Sequence, residues 1–206
     1  LALFFGKSGL GKTECALRYS NWRVVEPLLK QPVLTRKIPI SVIHSSTAFF
    51  TPDVFSTPKM IRSDIMLLRN RFDQLLEQAH FWHGIESGPF YPHKYLKLLI
   101  IDEVHRLSFS SLEQLRELYE RTNLSMLLIG PPGMDRSLMR YSQIYDRLTL
   151  GYEVQALNQD EMRLFISLKW KELNLPLTAD DTVSIAIMRI SNGNLRALHR
   201  IFSEIM

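Results

Sequence analysis

The chain is almost without cysteine. Cys15 stands alone among 206 residues, so neither a disulfide nor a thiolate metal site can form within one chain. Cys15 itself is expected to pack as a small apolar residue in a helix. No apolar run approaches the roughly 18–20 residues that span a bilayer, and no signal-peptide pattern precedes the first apolar stretch. A soluble, cytoplasmic protein that does not engage membranes is therefore expected. His80 and His83 share a helix end with Trp82 but lack a carboxylate partner, which makes them structural rather than metal-ligating. Extreme charge is missing too: the formal balance is +4. That balance is uneven, since residues 23–71 carry eight Lys or Arg against three Asp or Glu, whereas residues 72–150 are net −2. A local basic excess suits a polyanion, and it equally suits a solvated face.

What is present begins with the apolar run Leu1-Ala2-Leu3-Phe4-Phe5, followed directly by Gly6-Lys7-Ser8-Gly9-Leu10-Gly11-Lys12-Thr13. Two glycines five apart, then Lys-Thr, after a strand and before a helix, form the phosphate-binding loop pattern. Gly6, Gly9 and Gly11 let successive backbone amides turn inward around a phosphate, and Leu10 is apolar filler. Lys12 reaches the β- and γ-phosphates, the Thr13 hydroxyl holds Mg²⁺, and the helix starting near Lys12 aims its positive end at the same anion. Which nucleotide is bound stays open, because the base side of such sites is built ahead of the first strand. The sequence opens inside that strand and its last helix runs to Met206, so a domain trimmed at both ends is expected.

The composition, 46% hydrophobic and 22% charged, allows one α/β domain with a small helical companion. After the first helix, to about Trp22, Pro27 and Pro32 mark a linker, and Ile38–Ile43 reads as a second strand starting at Pro39. The residues to Ser56 read as irregular, with Phe49, Phe50 and Phe55 tucked against the core. Thr57 and Pro58 open a helix as cap and first residue. Ile61, Ile65, Leu68, Phe72, Leu75 and Ala79 recur at helical spacing and mark its buried face. Lys59, Arg62 and Arg69 lie on another stripe, a basic ridge that is either solvated or in contact with nucleic acid. A loop with Gly84, Gly88, Pro89 and Pro92 leads to the apolar strand Leu96–Ile101, which ends in Asp102 and Glu103. In a parallel sheet such a strand delivers its last residues to the ligand edge. Asp102 would complete the Mg²⁺ shell, and Glu103 would polarise the water attacking the γ-phosphate.

Ser110 or Ser111 is expected to cap a helix over Leu112–Arg121, with Leu112, Leu115, Leu118 and Tyr119 facing inward. Ser125–Gly130 reads as the next strand, closed by Pro131-Pro132-Gly133. A short helix through Leu138, Tyr141 and Ile144 follows, and Leu148–Ala156 closes the sheet. The remainder reads as three helices, Gln159–Leu173, Ala179–Ile190 and Asn194–Ile205, separated by Pro176 and by Ser191-Asn192-Gly193. The expected division is an α/β nucleotide-binding domain over 1–157 and an all-helical lid over 158–206.

The phosphate loop, the Asp-Glu strand, a further strand and a helical lid together resemble an AAA+ ATPase, a P-loop NTPase with a parallel five-stranded sheet sandwiched by helices. Gly193-Asn194-Leu195-Arg196 stands where that family carries its sensor 2 segment, which implies that Arg196 contacts nucleotide. Within the family, Ile101–Leu107, Leu112–Thr122, Leu128–Gly133 and Arg140–Arg147 look most like the TniB/TnsC type, ATP-dependent regulators of DNA transposition related to MuB. That resemblance implies ATP and Mg²⁺ as cofactors and a ring or helical filament on duplex DNA. It also implies recruitment of a transposase and hydrolysis as the release step. It places an arginine finger on Arg147, with Arg140 and Arg136 nearby, and puts the Lys59, Arg62 and Arg69 ridge against the DNA backbone. Where many AAA+ proteins carry Asn, Ser or Thr at the tip of the fourth strand, this chain has Gly130 followed by Pro131, which implies slow hydrolysis or a water positioned by another group. Two other readings stay open, an AAA+ ATPase that assembles or remodels protein, in secretion or helicase loading, and a nucleotide-dependent signalling switch.

Overall fold

The computed structural model describes residues 1–30, 38–86, 89, 94–122, 124–173 and 181–205. Pro32, Gly88, Pro92, Pro176 and Ala179, named above as linker, loop or helix-start residues, lie outside them. The chain divides into two compact units, one of residues 1–5 and 13–152, the other of residues 6–12 and 153–206.

The first unit is built on a sheet ordered β2-β3-β4-β1-β5. Its strands are β1 (Ala2–Phe5), β2 (Thr47–Phe50), β3 (Leu98–Ile101), β4 (Ser125–Gly130) and β5 (Leu150–Glu153). The β2/β3, β3/β4 and β4/β1 pairs are parallel, with Phe50 opposite Ile101, Ile101 opposite Leu128, and Phe5 opposite Gly130. Their carboxyl ends thus share one edge. Ala48, Phe49, Leu99, Ile100, Leu128 and Ile129 are buried, as continuous apolar strands covered on both faces must be. β5 is an exposed edge strand and shorter than the run expected to close the sheet.

Against the sheet lies α3 (Pro58–Trp82), whose Thr57 hydroxyl accepts the Met60 amide at 3.3 Å while Pro58 occupies the first turn. Ile61, Ile65, Phe72, Leu75, Leu76 and Ala79 form its buried stripe. α4 (Phe109–Arg121) buries Leu112, Leu115 and Leu118. Its cap is Ser108, whose hydroxyl accepts the Ser111 amide at 3.2 Å, so neither Ser110 nor Ser111 is the cap. The remaining helices here are α1 (Lys12–Tyr19), α2 (Trp22–Leu29), α5 (Met134–Met139) and α6 (Ser142–Tyr145). The second unit adds α7 (Gln159–Glu172), α8 (Asp181–Ser191) and α9 (Leu195–Ile205) around a core of Met162, Ile166, Ile187, Leu198 and Phe202. None of the described helices is long and apolar enough to cross a membrane.

Five local expectations fail. Ile38–Ile43 is not a strand: Ile40–Val42 forms a 3-10 turn in which Val42 and Ile43 are buried without entering a ladder. β2 is instead Thr47–Phe50, a four-residue run too short for periodicity to mark. Pro27 lies inside α2 rather than in a linker: its φ, fixed near about −65°, is compatible with a helix although its missing amide removes one i→i−4 hydrogen bond. Phe55 does not tuck into the core but is 91% exposed, and Cys15 is exposed on α1. The two histidines do act structurally. His80 Nδ1 lies 2.7 Å from the Leu76 carbonyl and His83 Nε2 lies 2.8 Å from the Ile38 carbonyl.

Burial separates the aromatic residues energetically. Phe72→Ala, at a fully buried position, should lower unfolding free energy by about 3–5 kcal/mol, whereas Phe55→Ala should stay within roughly 0.5 kcal/mol. Urea unfolding followed by circular dichroism reads both, and equal losses would contradict this packing.

Candidate functional site

In the first unit the decisive contact joins the start of α1 to the end of β3. The Thr13 hydroxyl donates to Asp102 Oδ2 at 2.7 Å, and the Glu103 amide donates to Asp102 Oδ1 at 2.8 Å. Asp102 is buried, so both oxygens need such partners. Parallel register puts it there, since it follows Ile101 at the shared carboxyl edge. A hydroxyl and a carboxylate 2.7 Å apart fit the oxygen donor set of Mg²⁺, which takes one or two protein oxygens and fills its shell with water and phosphate oxygens.

Glu103 next door has φ 54° and ψ 38°, the left-handed region that disfavours side chains. Such a conformation costs on the order of 1–3 kcal/mol and persists where surrounding structure dictates it. Here the dictating parts are the Asp102 bond to its amide and the following 3-10 turn Val104–Arg106, whose Val104 is fully buried. The Glu103 carboxylate is left 40% exposed, with Oε2 3.5 Å from His105 Nδ1. Beside it, Gly130 ends β4 with no room for a side chain, because an added Cβ would lie 2.8 Å from Met134 Cγ.

In the second unit the Gly6–Lys12 turn packs on the lid segment. Gly9 and Gly11 both have φ 84°, and their missing side chains leave space occupied by Asn194 and Leu195 respectively. Lys12 Nζ donates to the Gly6 carbonyl at 2.7 Å and to the Lys7 carbonyl at 2.8 Å. Arg196 Nη1 donates to Ser8 Oγ at 3.1 Å, and its backbone amide donates to the Gly9 carbonyl at 2.9 Å. The resemblance gave Arg196 a nucleotide contact and named Asn194 only as part of the same motif, without a role; its side-chain amide donates to the Ser8 carbonyl at 2.9 Å. Sequence reasoning missed a cleft of about 830 Å³ in this unit. Leu10, Leu157, Met162, Ile185 and Met188 give it apolar walls, and Lys7, Arg163 and Arg189 line it with positive charge and no carboxylate. Its residues come from two lid helices and the loop, which no linear pattern displays.

The other named residues are surface groups, with one exception. Lys59 and Arg62 are exposed on the first turns of α3, but Arg69 is only 4% exposed. The ridge is therefore shorter than the stripe suggested. Burial pushes the Arg69 guanidinium below its ordinary value, opposed by Asp73 one turn along. Arg147 is half-exposed, and its Nε donates to Glu120 Oε1 at 2.8 Å, while Arg116 holds the other oxygen at 2.6 Å. Arg136 and Arg140 are exposed. Among the described residues no cluster of three or more His, Cys, Asp or Glu could hold a metal ion by itself.

A sequence model described as an AAA domain matches residues 1–138. The chain belongs to the AAA domain family. A potential ATP-binding protein of Staphylococcus aureus is 30% identical, over all of this chain and 79% of its own length. Among solved structures, the RuvB Holliday junction branch migration motor of Thermotoga maritima superposes with a TM-score of 0.60 at 16% identity. A mutant of the same RuvB does so at 0.60 and 17%. These cover 99% of this chain but 53% of theirs, so the chain spans about half the length of the solved structures it matches. The likeness shows the fold, an α/β P-loop architecture of the AAA+ kind with a parallel five-stranded sheet and flanking helices.

One consequence concerns the Glu120 cluster. Arg147 first, and Arg116 next, hold the Glu120 carboxyl below its ordinary value of 4.5. A carboxyl depressed on folding adds stability above its unfolded value, and that stability is lost as pH falls through the folded value. The difference in melting temperature between wild type and Glu120→Gln should therefore be level above about pH 5, shrink with added salt, and vanish in acid. A difference growing in acid would reverse the assignment.

Proposed function

We propose that this chain is the ATPase core of a cytoplasmic DNA-transposition regulator of the TniB/TnsC type, which binds ATP, assembles on duplex DNA and recruits a transposase. The observation that carries the nucleotide part is the Thr13–Asp102 pair with Glu103 beside it at the sheet edge. The name of the Staphylococcus aureus relative supports ATP as the nucleotide. The apolar walls of the cleft suit the nucleoside, and Lys7 is positioned to favour its phosphates. Lys12 takes the β- and γ-phosphates, and Arg196 contacts them from the lid. Thr13 and Asp102 would hold Mg²⁺, which when bound neutralises charge on the phosphates. Glu103 accepts the proton of the attacking water, and its left-handed backbone fixes where that carboxylate starts. The side-chain-free tip at Gly130 supports slow turnover, suited to a timer.

Duplex DNA and transposase as partners rest on the motif run from Asp102 to Arg147 and on the basic excess of residues 23–71, with Lys59 and Arg62 exposed on α3. Arg147 would serve the neighbouring subunit of a ring or filament by exchanging Glu120 for phosphate oxygens, a task a charged planar guanidinium suits. The reading of a protein-assembling AAA+ ATPase has one observation in its favour, the exposed Val54 and Phe55 in the loop after β2.

Two measurements test the proposal. Lys12→Ala should abolish ATP binding in a titration, whereas Glu103→Gln should bind ATP and lose turnover by about two orders of magnitude or more; wild-type hydrolysis by Glu103→Gln would remove it from the mechanism. With ATP, the protein should bind unrelated duplexes alike, and neutralising Lys59 and Arg62 together should lower the slope of log affinity against log salt by about 0.9 per lost phosphate contact. Failure to bind any duplex in either nucleotide state would favour the protein-assembling reading.

A further inference from the structure

The turn at Ser8 and Gly9 is held by the first residues of α9, and the holding group is a single side chain. Asn194 Oδ1 accepts the backbone amides of Arg196 at 3.0 Å and Ala197 at 3.1 Å, which makes it the N-cap of α9. Those two amides can only donate, so the carbonyl end of the Asn194 side chain faces them and its NH₂ faces the loop, donating to the Ser8 carbonyl at 2.9 Å. One side-chain amide therefore supplies an acceptor to the helix and a donor to the loop at once. Aspartate and serine cap equally well, yet aspartate has no donor and the serine hydroxyl is too short to span both.

Sterics reinforce the bond. The Asn194 amide fills the space that a Cβ on Gly9 would need, and Leu195 Cδ1 stands 2.9 Å from where a Cβ on Gly11 would lie. The Arg196 amide, shared between Asn194 Oδ1 and the Gly9 carbonyl, closes the arrangement. Glycine at positions 9 and 11 thus answers to the lid as well as to φ. Gly193 with φ 73° makes the approach possible, its carbonyl accepting the Leu157 amide at 3.0 Å.

We infer that Asn194 is a positioning residue for nucleotide phosphate: it sets the Ser8–Gly9 backbone from the lid helix, so that phosphate affinity depends on a group acting through the loop. The inference rests on reading residues 6–13 as the phosphate loop. By linkage, a phosphate that fixes the loop must tighten the hold on α9 by the same factor.

The test is Asn194→Ser, which stays neutral and keeps the cap. It should weaken ADP by roughly two- to tenfold, the range of one neutral hydrogen bond, with little change in melting temperature. Hydrogen exchange in the nucleotide-free protein should accelerate at residues 6–11 while α9 stays protected. Wild-type ADP affinity, or α9 exchanging as fast as the loop, would overturn the inference, the latter because Asn194 would then be a cap and nothing more. If the serine variant does not fold, Asn194→Asp is read by hydrogen exchange alone, with faster exchange at residues 6–11 beside a protected α9 expected and unchanged exchange at residues 6–11 overturning the inference, because its added charge would weaken ADP in either case. Lys12→Ala is run in parallel: its retaining ADP affinity would sink the phosphate-loop reading itself, whereas its failure to bind ADP beside a wild-type Asn194→Ser would sink only the role of Asn194.

Discussion

The hydrogen bond from Thr13 to Asp102 joins positions 89 apart in the chain, and much of the first unit can be read as the requirement for making it. A buried carboxylate must have its acceptors satisfied or lose its charge. Asp102 meets that condition only if β3 ends level with the start of α1, which demands the observed register of β1 on β4 and β4 on β3. A slip of one residue would turn the apolar faces of these strands over, so core packing and site geometry are enforced by the same alternation. The left-handed Glu103 follows: its amide is committed to Asp102 while Val104 must return to the core, leaving the chain one residue in which to turn.

The second unit solves a different problem, that of shaping a loop rich in glycine. Backbone freedom at Gly9 and Gly11 would cost entropy on ordering. α9 meets part of that cost by bonding Ser8 and Gly9 through Asn194 and Arg196, and by occupying the room beside both glycines. The lid core of Met162, Ile166, Ile187, Leu198 and Phe202 carries this rigidity, since α9 presents Leu198 and Phe202 inward while its first turn faces the loop.

These two solutions differ in how far they could be read beforehand. Residues 6–13 and 98–103 were legible because their chemistry is local: glycines, Lys-Thr and a carboxylate pair after a continuous apolar run. α3 was legible because 25 residues give a 3.6-residue period time to declare itself, together with a Thr-Pro start. β2 was not, because a threonine and three apolar residues carry no period and Ile38–Ile43 competed as the richer run. Arg69 misled because stripe position on a helix reports angle, not what covers that angle; it shares its side with Asp73 and lies inside. The role of Asn194 went unnoticed for the opposite reason, its sequence neighbours advertising Arg196 while its loop partner Ser8 sits 186 positions away.

The state of Lys12 bears on how such a loop waits for its ligand. Its ammonium donates to the Gly6 and Lys7 carbonyls, so the loop's strongest donor is satisfied by the loop's own acceptors. If residues 6–13 hold phosphate as proposed, binding it would exchange ammonium–carbonyl bonds for ammonium–phosphate bonds, which are shorter and stronger because both partners are charged. Lys7 is exposed, so its released carbonyl would be rehydrated, whereas Gly6 is buried and its carbonyl would lose a partner that water replaces less easily. Net affinity is therefore the difference between two satisfied states, smaller than the gross attraction of an ammonium for phosphate would suggest. The same exchange keeps the nucleotide-free loop folded, since no buried charge is left uncompensated. A loop closed by Lys12 from within and by Asn194 from the lid side is held by its own chain, and in the proposed role that order would reduce the entropy a nucleotide must overcome on arrival.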